Sequence, residues 1–280
     1  MKNVLVILIT ALVIIVILAA MVLKTGVFIK NDKTQQIDAE LCDVQINYTQ
    51  QIDAELCKIE NEELQVIEKV REAIGQGRAS DTIAALREKM LSTHANHQEY
   101  VSNLLDSIGW PDNLSDSANR AIFHVILHAP NSFTEKYIHL LKEAQVPFFD
   151  FTVVDLNGKS VKLSERITGK PSVLHIWAAS CAPCRKKGKD LIPLYNEFRD
   201  KGFVVIGVAH EKNISTAEAA IRLDKYPWEN FVELNDVERI RLKYGFAGGM
   251  GNHFLIDERG NIIAVAPSIK EIRDFLLQKL

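Results

Sequence analysis

The stretch Ser172-Val173-Leu174-His175-Ile176-Trp177-Ala178-Ala179-Ser180-Cys181-Ala182-Pro183-Cys184-Arg185 constrains this chain most. An apolar, β-prone run ends at Trp177, and a helix-competent segment follows from about Pro183 to Arg199. Between them stands a Cys-x-x-Cys, the spacing of a redox dithiol. At a helix N-terminus the first sulfur meets unpaired N–H groups and the positive end of the macrodipole, which favour the thiolate. The thiolate is the form that attacks a disulfide. The second Cys, three positions on, is placed to close an internal disulfide, and Pro183 occupies the first turn, where its missing N–H costs no helix bond.

At 280 residues and 47% hydrophobic, the chain can bury a sizeable core. A net charge of −3 provides no basic footprint, so no nucleic-acid partner is expected. Four Cys are too few for a disulfide scaffold. Val4 to Leu23 is a twenty-residue run with Thr10 as its polar member, which would span roughly 30 Å as a helix. Ala19-Ala20-Met21 is a poor cleavage site, so an uncleaved single-span anchor is expected rather than a signal peptide. Flanking lysines stand on both sides and do not fix its orientation.

Thr34 to Cys42 recurs identically as Thr49 to Cys57. Apolar residues at Ile37, Leu41, Val44, Tyr48, Ile52, Leu56 and Ile59 form a helical stripe with a period of about 3.75, wider than a heptad. The reading is a stalk helix from about Thr34 to Ile74. Cys42 and Cys57 would stand roughly 22 Å apart along it, beyond bridging distance, so they read as copied helix residues or as an inter-chain bridge. Helices are then predicted from Thr82 to about Asp106 behind a Ser80-Asp81 cap, from Ser117 to Ala129, and from Phe133 to Ala144.

Histidines crowd this segment: His94 and His97, His124 and His128, and His139. The His124/His128 spacing can bind zinc on one helix face, but no Glu follows His124, and no carboxylate or Cys stands at ligand spacing. Core or surface histidines are therefore expected, with no metal and no cofactor.

Val146-Pro147 opens the last domain. Strands are predicted at Phe149–Leu156, Ser160–Leu163, Ser172–Trp177, Phe203–Ala209, His253–Asp257 and Ile262–Ala266. Helices are predicted after the Cys pair, at Ser215–Asp224, at Asp236–Tyr244, and from Ser268 to the end. That order fits an α/β domain with a central mixed sheet and helices on both faces. The expected division is 1–30 anchor and flank, 31–77 stalk, 78–145 all-α unit, and 146–280 α/β domain.

Two resemblances add to this. Gly109-Trp110-Pro111, His128-Ala129 and Leu140-Leu141-Lys142-Glu143-Ala144 resemble a helical domain family of unknown function. From about Val146 the chain resembles the TlpA/ResA-like thioredoxin family of membrane-anchored bacterial thiol–disulfide oxidoreductases. The match rests on Phe148-x-x-Phe151, Gly169-Lys170-Pro171, Trp177 to Arg185, Tyr244-Gly245 and Phe254 to Ile262. It implies a thioredoxin-like fold with Cys181 and Cys184 as the catalytic, redox-active disulfide. It also implies protein thiol or disulfide substrates, a membrane electron donor, and a catalytic domain on the periplasmic, extracytoplasmic side of a bacterial inner membrane. Trp177, Ser180, Pro183, Met250 and Gly251 then become the substrate-facing residues. The family has Trp where Ser180 stands and a cis-Pro where Gly251 stands. His175, at a strand position where relatives carry an acid or Asn, is a candidate for proton transfer with Cys184. Two functions remain in view: an oxidoreductase, in which a homo-oligomer through the stalk is compatible, or a redox-inactive binding module on a helical stalk.

Overall fold

The computed structural model describes residues 32–167, 169–245 and 251–280. The expected membrane segment Val4–Leu23 and Met250 lie outside these residues. Among the described residues no helix is long and apolar enough to cross a membrane. The chain divides into two compact units, and the second runs Gln51–Leu280. Of the first, what is described is the opening of helix α1, Asp32–Gly75.

Within the second unit, α1 continues the expected stripe. Ile52, Leu56, Ile59, Val66, Ile67 and Val70 are all buried, so this part of the helix is a packed element rather than a free stalk. Helix α2, Ser80–Ile108, begins behind Ala79 with no side-chain cap, so the Ser80-Asp81 cap is not used. Helix α3, Asp116–His128, is capped by Ser115, whose hydroxyl accepts from the Ala118 N–H. Asp53, from the second copy of the repeat, accepts both the Ser115 N–H at 2.6 Å and its hydroxyl at 3.0 Å. Arg120 of α3 pairs with the nearly buried Glu60 of α1. The predicted Phe133–Ala144 helix is instead two short ones, α4 Asn131–Tyr137 and α5 Leu140–Ala144.

The α/β domain contains β1 Thr152–Asp155, β2 Ser160–Lys162, α6 Ser164–Ile167, β3 Ser172–Trp177, α7 Ala182–Phe198 and β4 Val204–Glu211. It continues with α8 Ile214–Asp224, β5 Glu229–Leu234, α9 Ile240–Lys243, β6 His253–Ile256, β7 Ile262–Val265 and α10 Ile269–Lys279. The seven strands lie in the order β2-β1-β5-β4-β3-β6-β7. β3, β4 and β5 are parallel, and the flanking pairs are antiparallel. This is the expected thioredoxin-like mixed sheet. β5 is a strand that the sequence reading lacks, and the predicted Asp236–Tyr244 helix shrinks to α9.

Every residue of β3 is buried, as a strand covered on both faces requires. Val173 and Trp177 turn one way, into a core with Leu191, Leu194 and Phe198 of α7 and Ile272 and Leu276 of α10. Across the sheet, Phe123 of α3 packs on Phe149 and lies 6.3 Å from the Phe254 ring, so the helical segment supplies cover for the second face. His124 fixes that contact by bonding through Nε2 to the Lys243 carbonyl at 2.8 Å, and Arg71 of α1 reaches Asp236 at 2.7 Å.

Candidate active site

β3 delivers the chain to the edge of the core, and Trp177 to Ser180 turn it into α7. Glu211, at the end of the neighbouring β4, accepts the Ala179 N–H at 2.6 Å and so anchors that turn. Cys181 is then the N-cap of α7, with Pro183 in the first turn. Cys181 and Cys184 form a disulfide with their Cα atoms 5.3 Å apart. The Cys184 N–H points at Cys181 Sγ, 3.3 Å away, so an orphan donor of the helix end already faces the sulfur that would carry charge. Cys181 is 8% exposed and Cys184 2%, which makes the first sulfur the more accessible one. Ser180 and Pro183 beside them are exposed.

The second wall is the segment before β6. Gly251 donates its N–H to Cys184 Sγ at 3.2 Å, and Ile176 donates to the Asn252 carbonyl at 2.8 Å. A Cβ on Gly251 would collide with the Ile176 carbonyl and crowd the Trp177 Cα. Glycine is therefore the residue that lets this segment close against β3 and reach the disulfide.

The three basic residues after the pair play different parts. Arg185 is held in a two-pronged pair with Asp224, at 2.6 and 2.9 Å, so its charge is met by a carboxylate. Lys186 pairs with Asp190 on the exposed side. Lys187 contacts only the neutral amide of Asn252, at 3.4 Å, among its described partners, and its charge helps keep the nearby His175 and His253 neutral. Of the three, Lys187 is the cation turned toward the site without a carboxylate partner.

His175 is wholly buried. Burial, with the charges of His253 and Lys187, pushes its pKa down to about 3. Among the described residues neither ring nitrogen has a hydrogen-bond partner, and Nε2 lies where a Cβ on Gly188, one turn past Cys184, would meet it at 2.9 Å. His175 is thus a neutral ring under α7, stacked parallel to Trp177 and edge-on to Tyr226. Trp177, expected on the substrate face, is corrected by the structure: it is 1% exposed and belongs to the core between His175 and Tyr226.

The histidines of the helical segment are core or surface residues as expected, with His94, His97 and His124 buried and His139 exposed, but the sequence reading lacked their carboxylate partner. No carboxylate stands at ligand spacing on their own helices, but Glu63 of α1 is buried among them and accepts from His94, His97 and His128. The sequence signal for Glu63 was its place on the apolar stripe, four residues after Ile59 and three before Val66. Cys57 is a free, half-buried thiol 3.5 Å from the Ser115 hydroxyl, and the Cys42 side chain lies outside the described residues.

A disulfide at the N-terminus of a helix that leaves a central strand of this sheet defines a thioredoxin-like redox domain. Comparison with known proteins agrees. The AhpC/TSA family model matches residues 144–265. Thiol-disulfide oxidoreductase ResA of Bacillus cereus is 30% identical over 159 residues, covering 52% of this chain and 86% of the relative. ResA of Bacillus anthracis is 28% identical over 134 residues, covering 47% and 75%. A solved thioredoxin domain of a thiol-disulfide oxidoreductase from Bacteroides vulgatus is 29% identical and covers 48% of this chain and 94% of that domain, with a TM-score of 0.43. The chain belongs to the ResA-like thiol-disulfide oxidoreductases, and its α/β domain is the thioredoxin-like enzyme of that family.

Proposed function

We propose that the chain exchanges disulfides of partner proteins through Cys181 and Cys184, from an extracytoplasmic position on a bacterial inner membrane. The observation that carries the chemistry is the Cys181–Cys184 disulfide at the N-cap of α7. In the reduced protein, Cys181 thiolate attacks one sulfur of a substrate disulfide and expels the other as a thiolate, leaving a mixed disulfide. Cys184 thiolate then attacks Cys181 Sγ. The substrate leaves as a dithiol, and the internal disulfide re-forms. Two electrons pass to the substrate, and a membrane electron donor returns them. Run backwards, the same steps oxidise a dithiol.

Ser180, Pro183 and Gly251 are the residues we assign to the substrate face, with Met250 beside them in sequence. The small, exposed Ser180 leaves room for an extended substrate segment beside the disulfide, and the backbone at Gly251 forms the wall opposite. His175, neutral down to about pH 3, serves in this reading as packing beneath Cys184 rather than as an acid at neutral pH. Val4–Leu23 is the proposed single-pass anchor, supported by its length and apolar character. A reporter fused to the C-terminus that is active in the periplasm supports the orientation, and one active only in the cytoplasm rejects it.

The chemistry is tested by reduction of insulin disulfides with dithiothreitol as donor. Cys181→Ser is expected to lose all turnover above background. Cys184→Ser is expected to accumulate a mixed disulfide visible on a non-reducing gel. Full turnover in Cys181→Ser would refute the assignment.

A further inference from the structure

Glu63 is an acid in the middle of an apolar stripe, and its side chain is completely buried. Burial alone would raise its pKa, but hydrogen bonds from His128, His94 and His97 hold it well below the ordinary carboxylate range. Three helices meet there. α1 supplies the carboxylate, α2 supplies His94 and His97, and α3 supplies His128. Oε2 lies 2.7 Å from His94 Nδ1 and 3.2 Å from His128 Nδ1. Oε1 lies 2.7 Å from His97 Nδ1, and the other nitrogen of that ring lies 3.0 Å from Glu62.

We infer that Glu63, His94 and His128 form a binding site for a divalent transition-metal ion of the zinc type. The three ligand atoms lie within 4.8 Å of one another. A tetrahedral ion with bonds of about 2.0–2.1 Å places its ligands about 3.3 Å apart, so the Glu63–His94 and Glu63–His128 separations of 2.7 and 3.2 Å need only small outward shifts. Two imidazoles and one carboxylate are a donor set for zinc or iron(II), not for calcium or magnesium, which take oxygen. Loading requires the Nδ1 lone pairs, so both ligand rings then carry their proton on Nε2. His97 stands outside the ligand set and orients it: it holds the second oxygen of Glu63 and is held in turn by Glu62, the carboxylate–histidine support common around metal ligands. Among the described residues His128 Nε2 is buried with no hydrogen-bond partner, and the ring's polar contact is the one to Glu63. A cleft of about 300 Å³ lined by Glu62, His97 and Tyr100 reaches the ring that supports Glu63. A bound ion would clamp α1, α2 and α3 together and stabilise the fold by mass action.

The test is a cobalt(II) titration of the full chain in detergent, with the Cys181–Cys184 disulfide kept oxidised. One equivalent is expected to bind with visible d–d absorption and no thiolate charge-transfer band, and to raise the melting temperature. Affinity is expected to fall at least about tenfold in His94→Gln and Glu63→Gln and to be unchanged in His139→Gln, which alters an exposed histidine. Failure of the folded wild type to bind one equivalent, a thiolate band, or wild-type affinity in His94→Gln would overturn the site. If the substituted chains do not fold by circular dichroism, zinc-edge X-ray absorption of the loaded wild type decides. Two imidazoles with oxygen donors bound to the ion support the site, and any other set of ligands rejects it.

Discussion

Gly251 shows how a single missing side chain shapes the active site. Its backbone runs so close to β3 that a Cβ would collide with the Ile176 carbonyl, and its N–H reaches Cys184 Sγ at 3.2 Å. Gly251→Ala is therefore expected to push the segment off the disulfide and cost about 1–3 kcal/mol, an overpacking penalty. Urea unfolding measures that cost, and an unchanged midpoint would mean the segment moves aside freely. The neighbouring Trp177 shows where reading residues one at a time fails. Its place beside the Cys pair suggested substrate contact, yet it continues the inward set Val173 and His175 of β3. In a strand the alternation of faces decides direction, whatever chemistry follows in the chain. His175 was legible as a residue on that strand. Its neutrality was not, because it follows from burial and from Lys187 and His253, which come from other elements.

At the scale of elements, α7 is tied to the end of α8 by Arg185 and Asp224. The Asp224 side chain is 4% exposed and that of Arg185 23%, so removing the cation leaves a buried carboxylate with the Tyr226 hydroxyl and the more distant Lys189 at 3.8 Å. Arg185→Met is expected to cost about 2–3 kcal/mol, less than a fully buried pair would because Arg185 is partly exposed. Arg185→Met with Asp224→Leu is expected to recover much of it. If in urea unfolding the double variant is no more stable than the single one, the pair is not what holds α7 to α8. The Cys pair, β3 and α7 were legible because apolar run, Pro position and Cys spacing all agree there. β5 was not. Asn230 and Glu233 interrupt its apolar pattern: the Asn230 amide donates to the Trp228 carbonyl, and Glu233 is satisfied by His210 and the Ile240 N–H. The predicted Asp236–Tyr244 helix failed on local backbone. Asn235, Asp236 and Arg239 all have positive φ, a conformation no helix contains, so a turn occupies what looked like its first half.

For the molecule as a whole, the second compact unit contains both the helical segment from Gln51 and the thioredoxin-like domain. The histidines that join and line them give it a pH dependence. His124 is pushed down to about 3 by burial and the charge of His128, and His175 to about 3 by burial and the charges of His253 and Lys187. Below about pH 6.5 the unfolded chain takes up protons at these positions that the folded chain refuses. Stability therefore falls as pH drops from about 6.5 toward 3, by up to about 1.4 kcal/mol per pH unit for each ring. The low pKa of Glu63 adds stability above the ordinary carboxylate range that is lost on further acidification. His97 opposes this: although burial lowers its pKa, Glu63 and Glu62 raise it above the ordinary value, so its contribution is present below about 6.5 and lost as pH rises through the folded value. The two neutral rings, with His253, whose pKa burial also lowers, outweigh the one raised, and the urea midpoint is expected to be clearly lower at pH 4.5 than at pH 7. An equal or higher midpoint at pH 4.5 would contradict that balance.

The most direct measurement of the central claim is the redox equilibrium of Cys181 and Cys184 in the full chain. It is made with Cys42 and Cys57 replaced by Ser and the protein equilibrated against dithiothreitol or glutathione buffers. A reversible two-electron couple is predicted, abolished by Cys181→Ser. A potential near about −270 mV would make the chain a reductant, and one near about −120 mV an oxidant. A folded protein with no reversible couple anywhere in that range would contradict thiol–disulfide exchange at this site.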